Sequence, residues 1–154
     1  ERAPVAHLTL DAYAVIAFVA GEAAGSIVEA QLRDPDRRPQ LNAVNLAEVV
    51  YRMAHRGYPE AAVQERFQDL IGLGVEVVPT DERLGRLAGA LRDRHYNTRR
   101  SAVSLADCIA LATAKATDAS LATADPALLA AARLEGVDVL VLPDATGRLP
   151  EVPS

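Results

Sequence analysis

The chain contains few of the residues on which several protein classes depend. Of its 154 residues one is cysteine and none is tryptophan, and aromatic residues make up 4%. The single cysteine, Cys108, excludes an internal disulfide and agrees with a reducing compartment. The three histidines lie far apart, so the sequence has no zinc-ligand spacing. No apolar stretch approaches the ~18 residues of a membrane-spanning helix and no secretory signal is visible, so we expect a cytoplasmic protein outside the membrane.

Positive charge is also scarce, and it is unevenly distributed. The formal net charge of −5 argues against a protein that coats nucleic acid through bulk charge. Residues 92–100 (RDRHYNTRR) nevertheless hold four arginines and one aspartate. Such a segment is often only a solvated loop. A local basic patch can also hold phosphates, so both interpretations stay open.

Short apolar stretches alternate with longer helical ones along the chain. We predict strands at residues 5–10, 41–44, 75–78, 119–122 and 137–142, with helices between them. Strands separated by helices pair in parallel through right-handed crossovers, which indicates an α/β protein. Half of the residues are hydrophobic, and the length suits one domain with a sizeable core. We expect a single domain over residues 1–142 and a loosely ordered C-terminal tail over residues 143–154.

Four acidic residues lie where a predicted strand ends or a predicted helix begins: Asp11, Glu48, Asp107 and Asp125. The carboxyl ends of parallel strands meet at one edge of a sheet, so the four carboxylates should meet there. Carboxylates at close range repel one another unless a cation compensates them, and oxygen ligands suit a hard divalent ion. The pattern therefore predicts a metal-dependent enzyme that acts on phosphate.

Each acid also has a structural interpretation as part of a helix cap. Asn45 with Glu48, and Ser104 with Asp107, have the spacing of a capping box. Asp125 stands directly before a proline, as an N-cap residue often does. Capping explains each acid separately, but it does not explain their positions around one edge of the sheet. The two roles are also compatible, because a helix N-terminus favours a carboxylate and attracts phosphate.

The residues around these acids resemble the PIN-domain family, and within it the VapC-type toxins of type II toxin–antitoxin systems. The resemblance covers nearly the full length, from HLTLDAYAVIAFVAGE through NAVNLAEVVYR and SLADCIALATA to LATADPALLAAA. It implies a three-layer α/β/α fold with a central, mainly parallel sheet of four to five strands. The family's acidic quartet matches Asp11, Glu48, Asp107 and Asp125, and its small hydroxyl residue matches Thr123.

The resemblance implies an endoribonuclease, a hydrolase that uses Mg²⁺ or Mn²⁺. Asp11, Glu48 and Asp107 would hold the ion directly or through water. Asp125 would complete a second, weaker metal position, and Thr123 would orient a ligand or bind phosphate. All four acids are therefore candidate catalytic and metal-binding residues.

Further expectations concern the substrate and partners. Arg99 and Arg100 would hold the backbone of the RNA substrate. The resemblance also implies a homodimer and a small antitoxin, which could lend an arginine to the carboxylates. One departure stands beside the first acid, where the family often has Ser or Thr and this chain has Ala12 and Tyr13. The missing hydroxyl would weaken the positioning of metal or water.

Other proteins with acidic pockets match the sequence less well. A receiver domain needs a lysine after its last strand, whereas Lys115 lies on a predicted helix before it. A haloacid-dehalogenase-type phosphatase needs a second aspartate where Tyr13 stands. No glycine-rich turn follows the first strand, which excludes a Rossmann dinucleotide site. The remaining alternative is a catalytically inactive PIN-like module that acts only through protein or RNA binding.

Overall fold

The computed structural model describes residues 4–151, which form five strands and seven helices. In chain order these are β1 (Ala6–Leu10), α1 (Ala12–Ala20), α2 (Gly25–Leu32), β2 (Arg37–Asn42), α3 (Ala43–His55), α4 (Glu60–Gly72), β3 (Glu76–Val78), α5 (Glu82–His95), α6 (Leu105–Ala116), β4 (Ser120–Thr123), α7 (Pro126–Leu134) and β5 (Val139–Val141). Each predicted strand has a counterpart in the structure.

The strands form one parallel sheet in the order β3-β2-β1-β4-β5. β1 lies at its centre, where Thr9 is paired with Gln40 of β2 on one side and with Leu121 of β4 on the other. The chain builds outward from β1 in one direction and then in the other, so the strand order reverses between β1 and β4. In open parallel sheets, ligands bind beyond the carboxyl ends of the strands at such a reversal. The α/β class and the five-stranded parallel sheet are confirmed.

Successive strand residues point to opposite faces of the sheet, and helices cover the apolar residues on both faces. Leu8 and Leu10 belong to a hydrophobic cluster that includes residues of α1 to α4. Leu121 belongs to a second cluster, formed largely by α5, α6 and α7. Thr9, between the two leucines, faces the α6 side and accepts a hydrogen bond from Gln40. The result is the predicted arrangement of three layers.

Buried hydrogen bonds fix α6 against the sheet. Gln40 Nε2 donates to Thr9 Oγ1 at 2.8 Å and to Thr117 Oγ1 at 2.7 Å. Asn42 Nδ2 donates to Thr113 Oγ1 at 3.0 Å. Buried amides need such partners, because each unpaired polar group costs about 1–3 kcal/mol. The bonds therefore hold α6 in one register over β1 and β2.

The predicted start of α3 is wrong. The strand predicted at residues 41–44 is β2, which begins earlier, at Arg37, and the helix begins at Ala43, three residues before the start that an N-cap at Asn45 implies. Asn42, not Asn45, is the N-cap, and its side chain accepts a hydrogen bond from the second helical amide at 2.9 Å. Asn45 is buried inside the helix and donates to the carbonyl of Ala106 in α6. Glu48 consequently lies in the second turn and is not part of a capping box.

The segment after β5 is held against the first turn of α1 by a hydrogen bond. The hydroxyl of Tyr13 donates to the carbonyl of Pro143 at 2.7 Å. Asp144 then closes a turn in which its carboxylate accepts from the backbone amides of Thr146 and Arg148. The predicted loose tail also includes residues 152–154, which lie outside the described residues. The domain limits therefore stay a prediction.

None of the helices in residues 4–151 is by itself both long and apolar enough to cross a membrane. Together, α1 and α2 satisfy the length and composition, but the chain bends by 102° between them.

Candidate functional site

A cleft of about 380 Å³ lies at the carboxyl edge of the sheet, where the strand order reverses. Its walls come from the β1–α1 junction, α3, the start of α6, the β4–α7 junction and the segment after β5. The acidic residues lining it are Asp11, Glu48, Asp107, Asp125 and Asp144. All four acids that the sequence analysis selected are therefore brought together in one cleft.

Asp11 is the most buried of these acids, with 4% of its surface exposed. It follows β1 and caps α1, because its Oδ1 accepts a hydrogen bond from the amide of Ala14 at 2.8 Å. Burial raises the pKa of Asp11 from its ordinary 3.8 to about 7, since a charged carboxylate loses its hydration. Hydrogen bonds from Thr123 and Ala14 lower this pKa, while the charges of Asp107 and Glu48 raise it. Asp11 therefore titrates near neutral pH, well above the range of an ordinary aspartate.

Asp107 lies at the start of α6 in the predicted capping box, which the structure confirms. Ser104 Oγ accepts from the Asp107 amide at 3.0 Å, and Asp107 Oδ2 accepts from the Ser104 amide at 2.8 Å. Burial raises the pKa of Asp107, the Ser104 hydrogen bonds lower it, and the charge of Asp125 raises it. Asp107 thus serves both as a cap and as an acid of the cleft.

Asp125 and Thr123 lie where β4 passes into α7. Asp125 caps α7, with its Oδ1 accepting from the Leu128 amide at 2.8 Å. This N-cap role was predicted from the proline that follows it. Thr123 is fully buried, and its Oγ1 accepts from the Asp125 amide at 3.1 Å. Because Thr123 also acts on the pKa of Asp11, its hydroxyl connects the first and last acids of the quartet.

Glu48 reaches the cleft from the second turn of α3, next to Arg52. Burial raises the pKa of Glu48, the charge of Arg52 lowers it and that of Asp107 raises it. Arg52 Nη1 lies 3.6 Å from Glu48 Oε1, and Arg52 also lines the cleft. This arginine was not predicted from the sequence. Arg52 follows Glu48 by four residues, and residues with this spacing share one face of a helix, so the sequence does contain a signal that places Arg52 beside the cleft.

Asp144 is the second lining residue that sequence reasoning missed. It follows the carboxyl end of β5 by three residues, so the strand-end pattern could have marked it, but it lay in the segment expected to be a loose tail. Its position follows from the hydrogen bond between Tyr13 and the Pro143 carbonyl, which joins residues 130 positions apart. Tyr13, noted as a departure from the family pattern, thereby helps to hold the segment that carries Asp144.

Arg99 and Arg100 are not among the described residues that line the cleft. They lie in a turn closed by the pairing of Asn97 with Ser101, and their backbone amides donate to Asn97 Oδ1 at 2.9 and 3.2 Å. Both arginines are exposed, and the turn leads directly to Ser104 at the cleft. Their role in holding RNA stays a prediction.

The chemistry of the donor set suits a hard divalent cation, since the cleft offers carboxylate oxygens from separate elements. The three capping aspartates, Asp11, Asp107 and Asp125, each engage one carboxylate oxygen with a backbone amide. Over residues 4–151, no three His, Cys, Asp or Glu side chains are arranged as a ready ligand group. An ion would therefore require rotamer changes, and Glu48 and Asp125 are exposed enough to make them.

Comparisons with known proteins agree with this architecture. A sequence profile of the PIN domain matches residues 8–134, most of the chain. No curated protein sequence matches. Among solved structures, VapBC2 from Rickettsia felis bound to a promoter DNA fragment has a TM-score of 0.67 at 13% identity, covering 88% of this chain and 98% of that one.

Two further structures have the same fold. VapC20 from Mycobacterium tuberculosis, a Sarcin-Ricin loop cleaving toxin, has a TM-score of 0.65 at 17% identity, covering 80% of this chain and 94% of that one. FitAcB from Neisseria gonorrhoeae has a TM-score of 0.60 at 22% identity, covering 86% and 96%. The profile match spans β1 to α7 and includes all four acids of the quartet. The chain therefore belongs to the PIN-domain family.

Proposed function

We propose that this protein is a metal-dependent endoribonuclease and the toxin of a toxin–antitoxin pair. One observation carries the proposal: acids from four separate elements line a single cleft at the carboxyl edge of the sheet. Membership of the PIN-domain family supports nuclease chemistry. The structural similarity to VapC20, described as a Sarcin-Ricin loop cleaving toxin, supports RNA as the substrate.

Mg²⁺ or Mn²⁺ is the proposed cofactor. Asp11, Glu48 and Asp107 would hold it, and Asp125 would complete a second, weaker position. When bound, such an ion orients an attacking water, lowers the pKa of that water and neutralises the charge that develops on the phosphate.

The protein's own side chains set the pH at which the cleft accepts a cation. Since the pKa of Asp11 is raised to about 7, a cation must displace a proton from its carboxyl group at lower pH. Cation affinity should therefore rise with pH up to and beyond neutrality. Thr123 keeps Asp11 oriented through its hydroxyl, and the N-terminal ends of α6 and α7 favour an approaching phosphate.

RNA would enter the cleft as a phosphodiester chain longer than the cleft itself. The turn that carries Arg99 and Arg100 leads into Ser104 at the cleft, so it lies next in sequence to the site. We propose that these two exposed arginines hold the RNA backbone outside the cleft. Contacts of this kind position the strand but do not read its sequence.

The proposed partners are a cognate antitoxin and a second copy of the chain, all in the cytoplasm. The similar structures include toxin–antitoxin complexes, among them one from Klebsiella pneumoniae. On the α3–α4 hairpin, Tyr51 is 67% exposed and Ile71 is 40% exposed, whereas Met53 and Leu70 are buried in the core. The exposed pair is the part of the hairpin that we propose for docking. Co-expression with the neighbouring small open reading frame should restore growth and yield a complex. If it does neither, the protein is not the toxin of such a pair, but the nuclease proposal is unaffected.

The nuclease proposal is tested by Asp107→Asn. Asparagine keeps an oxygen for the capping bond to Ser104 but removes the charge, so cleavage of RNA should be lost while the melting temperature changes little. Asp81→Asn is the control, because Asp81 is also a helix-capping aspartate, the N-cap of α5 that accepts from the Leu84 amide, and is not among the described cleft residues. Excess EDTA should stop the wild-type protein, and Mn²⁺ or Mg²⁺ should restore it.

Two results would contradict the nuclease proposal. One is cleavage at the wild-type rate by Asp107→Asn, and the other is undiminished cleavage in excess EDTA. The cleavage assay is read on purified protein with a fluorescent single-stranded RNA, and circular dichroism confirms that each variant is folded.

One observation favours a binding-only module: within residues 4–151 no three acids form a ready ligand group. Calorimetric titration with Mn²⁺ separates the two functions. Uptake of Mn²⁺ that is lost in Asp107→Asn supports the enzyme, whereas a folded wild-type protein that takes up no Mn²⁺ supports the binding module.

A further inference from the structure

Arg52 is the one cationic side chain among the described residues that line the acidic cleft. It lies on α3 four residues after Glu48, so both side chains leave the same face of the helix. The side chain is 37% exposed. The guanidinium is therefore partly open to solvent and borders the space into which a substrate would enter.

The guanidinium of Arg52 is only loosely engaged by the protein. Its Nη1 lies 3.6 Å from Glu48 Oε1, beyond hydrogen-bond distance. The equivalent pair on α5, Arg86 with Glu82, has the same spacing of four residues but closes to 2.7 Å. Within residues 4–151 the guanidinium of Arg52 makes no hydrogen bond of its own, which leaves its donors available for a ligand.

The charge balance of the cleft calls for such a donor. Five carboxylates line it against one guanidinium, so an anionic substrate is repelled by whatever carboxylate charge remains uncompensated. Arg52 already acts on this field, because its charge lowers the pKa of both Glu48 and Asp107. Arginine also presents a planar fork of donors that matches two oxygens of a phosphate.

We infer that Arg52 binds the non-bridging oxygens of the RNA phosphate that enters the cleft, and this inference rests on the proposed nuclease function. Arg52 is then a substrate-binding residue inside the cleft, distinct from the exposed arginines of the turn before α6. The competing role is that of an internal cation, which would occupy space beside Glu48 and weaken metal binding. Removing the charge would weaken RNA binding if Arg52 holds the phosphate, and would strengthen metal binding if Arg52 is an internal cation.

The experiment compares Arg52→Gln and Arg52→Lys with the wild-type protein in Mn²⁺, using a fluorescent single-stranded RNA over about 50–200 mM salt. Loss of a charge-assisted contact should raise KM about 10–100-fold in Arg52→Gln, with a smaller change in kcat. The slope of log(1/KM) against log[salt] should become shallower by about 0.7, the value for one phosphate contact on a single strand. Arg52→Lys should restore that slope but only part of the affinity, because lysine lacks the fork.

Arg86→Gln is the matched control, since it removes the arginine of an equally spaced pair on another helix. It should leave KM, kcat and the salt slope unchanged. If Arg52→Gln also leaves KM and the slope unchanged while the wild-type protein cleaves, the inference is wrong and the nuclease function stands. Tighter Mn²⁺ binding by Arg52→Gln with an unchanged slope would overturn it in favour of the internal cation. If the folded wild-type protein neither cleaves RNA nor takes up Mn²⁺, the proposed function fails first.

Discussion

Replacing Asp11 by asparagine should make the metal-free protein more stable, although it removes a residue of the cleft. Asparagine can still accept the hydrogen bond from the Ala14 amide that caps α1, because it is as good an N-cap residue as aspartate. What it removes is a carboxylate held with 4% of its residue surface exposed. The perturbation therefore isolates the energetic cost of keeping a charge at this position.

The size of the effect follows from the pKa. Between pH 3.8 and about 7, Asp11 is ionised in the unfolded chain but protonated in the folded protein. Folding takes up a proton in this window, so stability falls as the pH rises through it. Above about pH 7 the ionised, buried Asp11 lowers the free energy of unfolding by ~4 kcal/mol, since each unit between the pKa of 3.8 and that of about 7 is worth ~1.4 kcal/mol. Below pH 3.8 the cost is absent.

The assay is urea denaturation of both proteins at several pH values in the presence of EDTA. At pH 8 the free energy of unfolding of Asp11→Asn should exceed that of the wild-type protein by up to ~4 kcal/mol. At about pH 3 the two should be equal, and the difference should grow between these limits. Asp81→Asn corrects for the replacement of a capping aspartate by asparagine outside the cleft.

Divalent cations should narrow the difference between the two proteins and cancel it at about one thousand times Kd. Mn²⁺ bound by the folded wild-type protein adds RT ln(1 + [Mn²⁺]/Kd) to its stability, about 2.7 kcal/mol at one hundred times Kd. Asp11→Asn should gain much less. The reasoning is refuted if Asp11→Asn is less stable than the wild-type protein at pH 8 in EDTA, or if the difference between them does not depend on pH.

Two further predictions concern the elements that position the cleft. Tyr13→Phe removes the 2.7 Å hydrogen bond to the Pro143 carbonyl and should cost about 1 kcal/mol in urea denaturation; an unchanged midpoint would contradict this account of Tyr13. Gly25→Ala places a Cβ 2.6 Å from the backbone oxygen of Ala17, which forces α1 and α2 apart. It should lower stability by about 1–3 kcal/mol, and a wild-type melting temperature would show that the close approach of the two helices is not required.

Much of this architecture could be predicted because local patterns and topology agree. Apolar strands alternating with helices allow few arrangements other than a parallel sheet, and the carboxyl ends of its strands share one edge. Asp11 and Asp125 end or follow strands, and Ser104 with Asp107 forms a box whose spacing is visible in the sequence. These positions depend on neighbours in the chain, which is why sequence reasoning found them.

The features that were missed depend on contacts between distant residues. Asn42 and Asn45 each precede residues that could begin α3. Asn42 is the cap because further bonds fix its side chain: it donates to Thr113 and accepts from Thr80. No local pattern contains those partners. Asp144 does follow the end of a strand, but its segment is held at the cleft by the bond between Tyr13 and the Pro143 carbonyl, which joins distant parts of the chain.

The central claim is that the acids of the cleft hold a divalent cation, and the most direct test is anomalous diffraction from crystals soaked in Mn²⁺. We predict one strong anomalous peak inside the cleft, within coordination distance of Asp11, Glu48 and Asp107. A peak outside the cleft, or none in a crystal at saturating Mn²⁺ and neutral to alkaline pH, would contradict the metal-dependent mechanism.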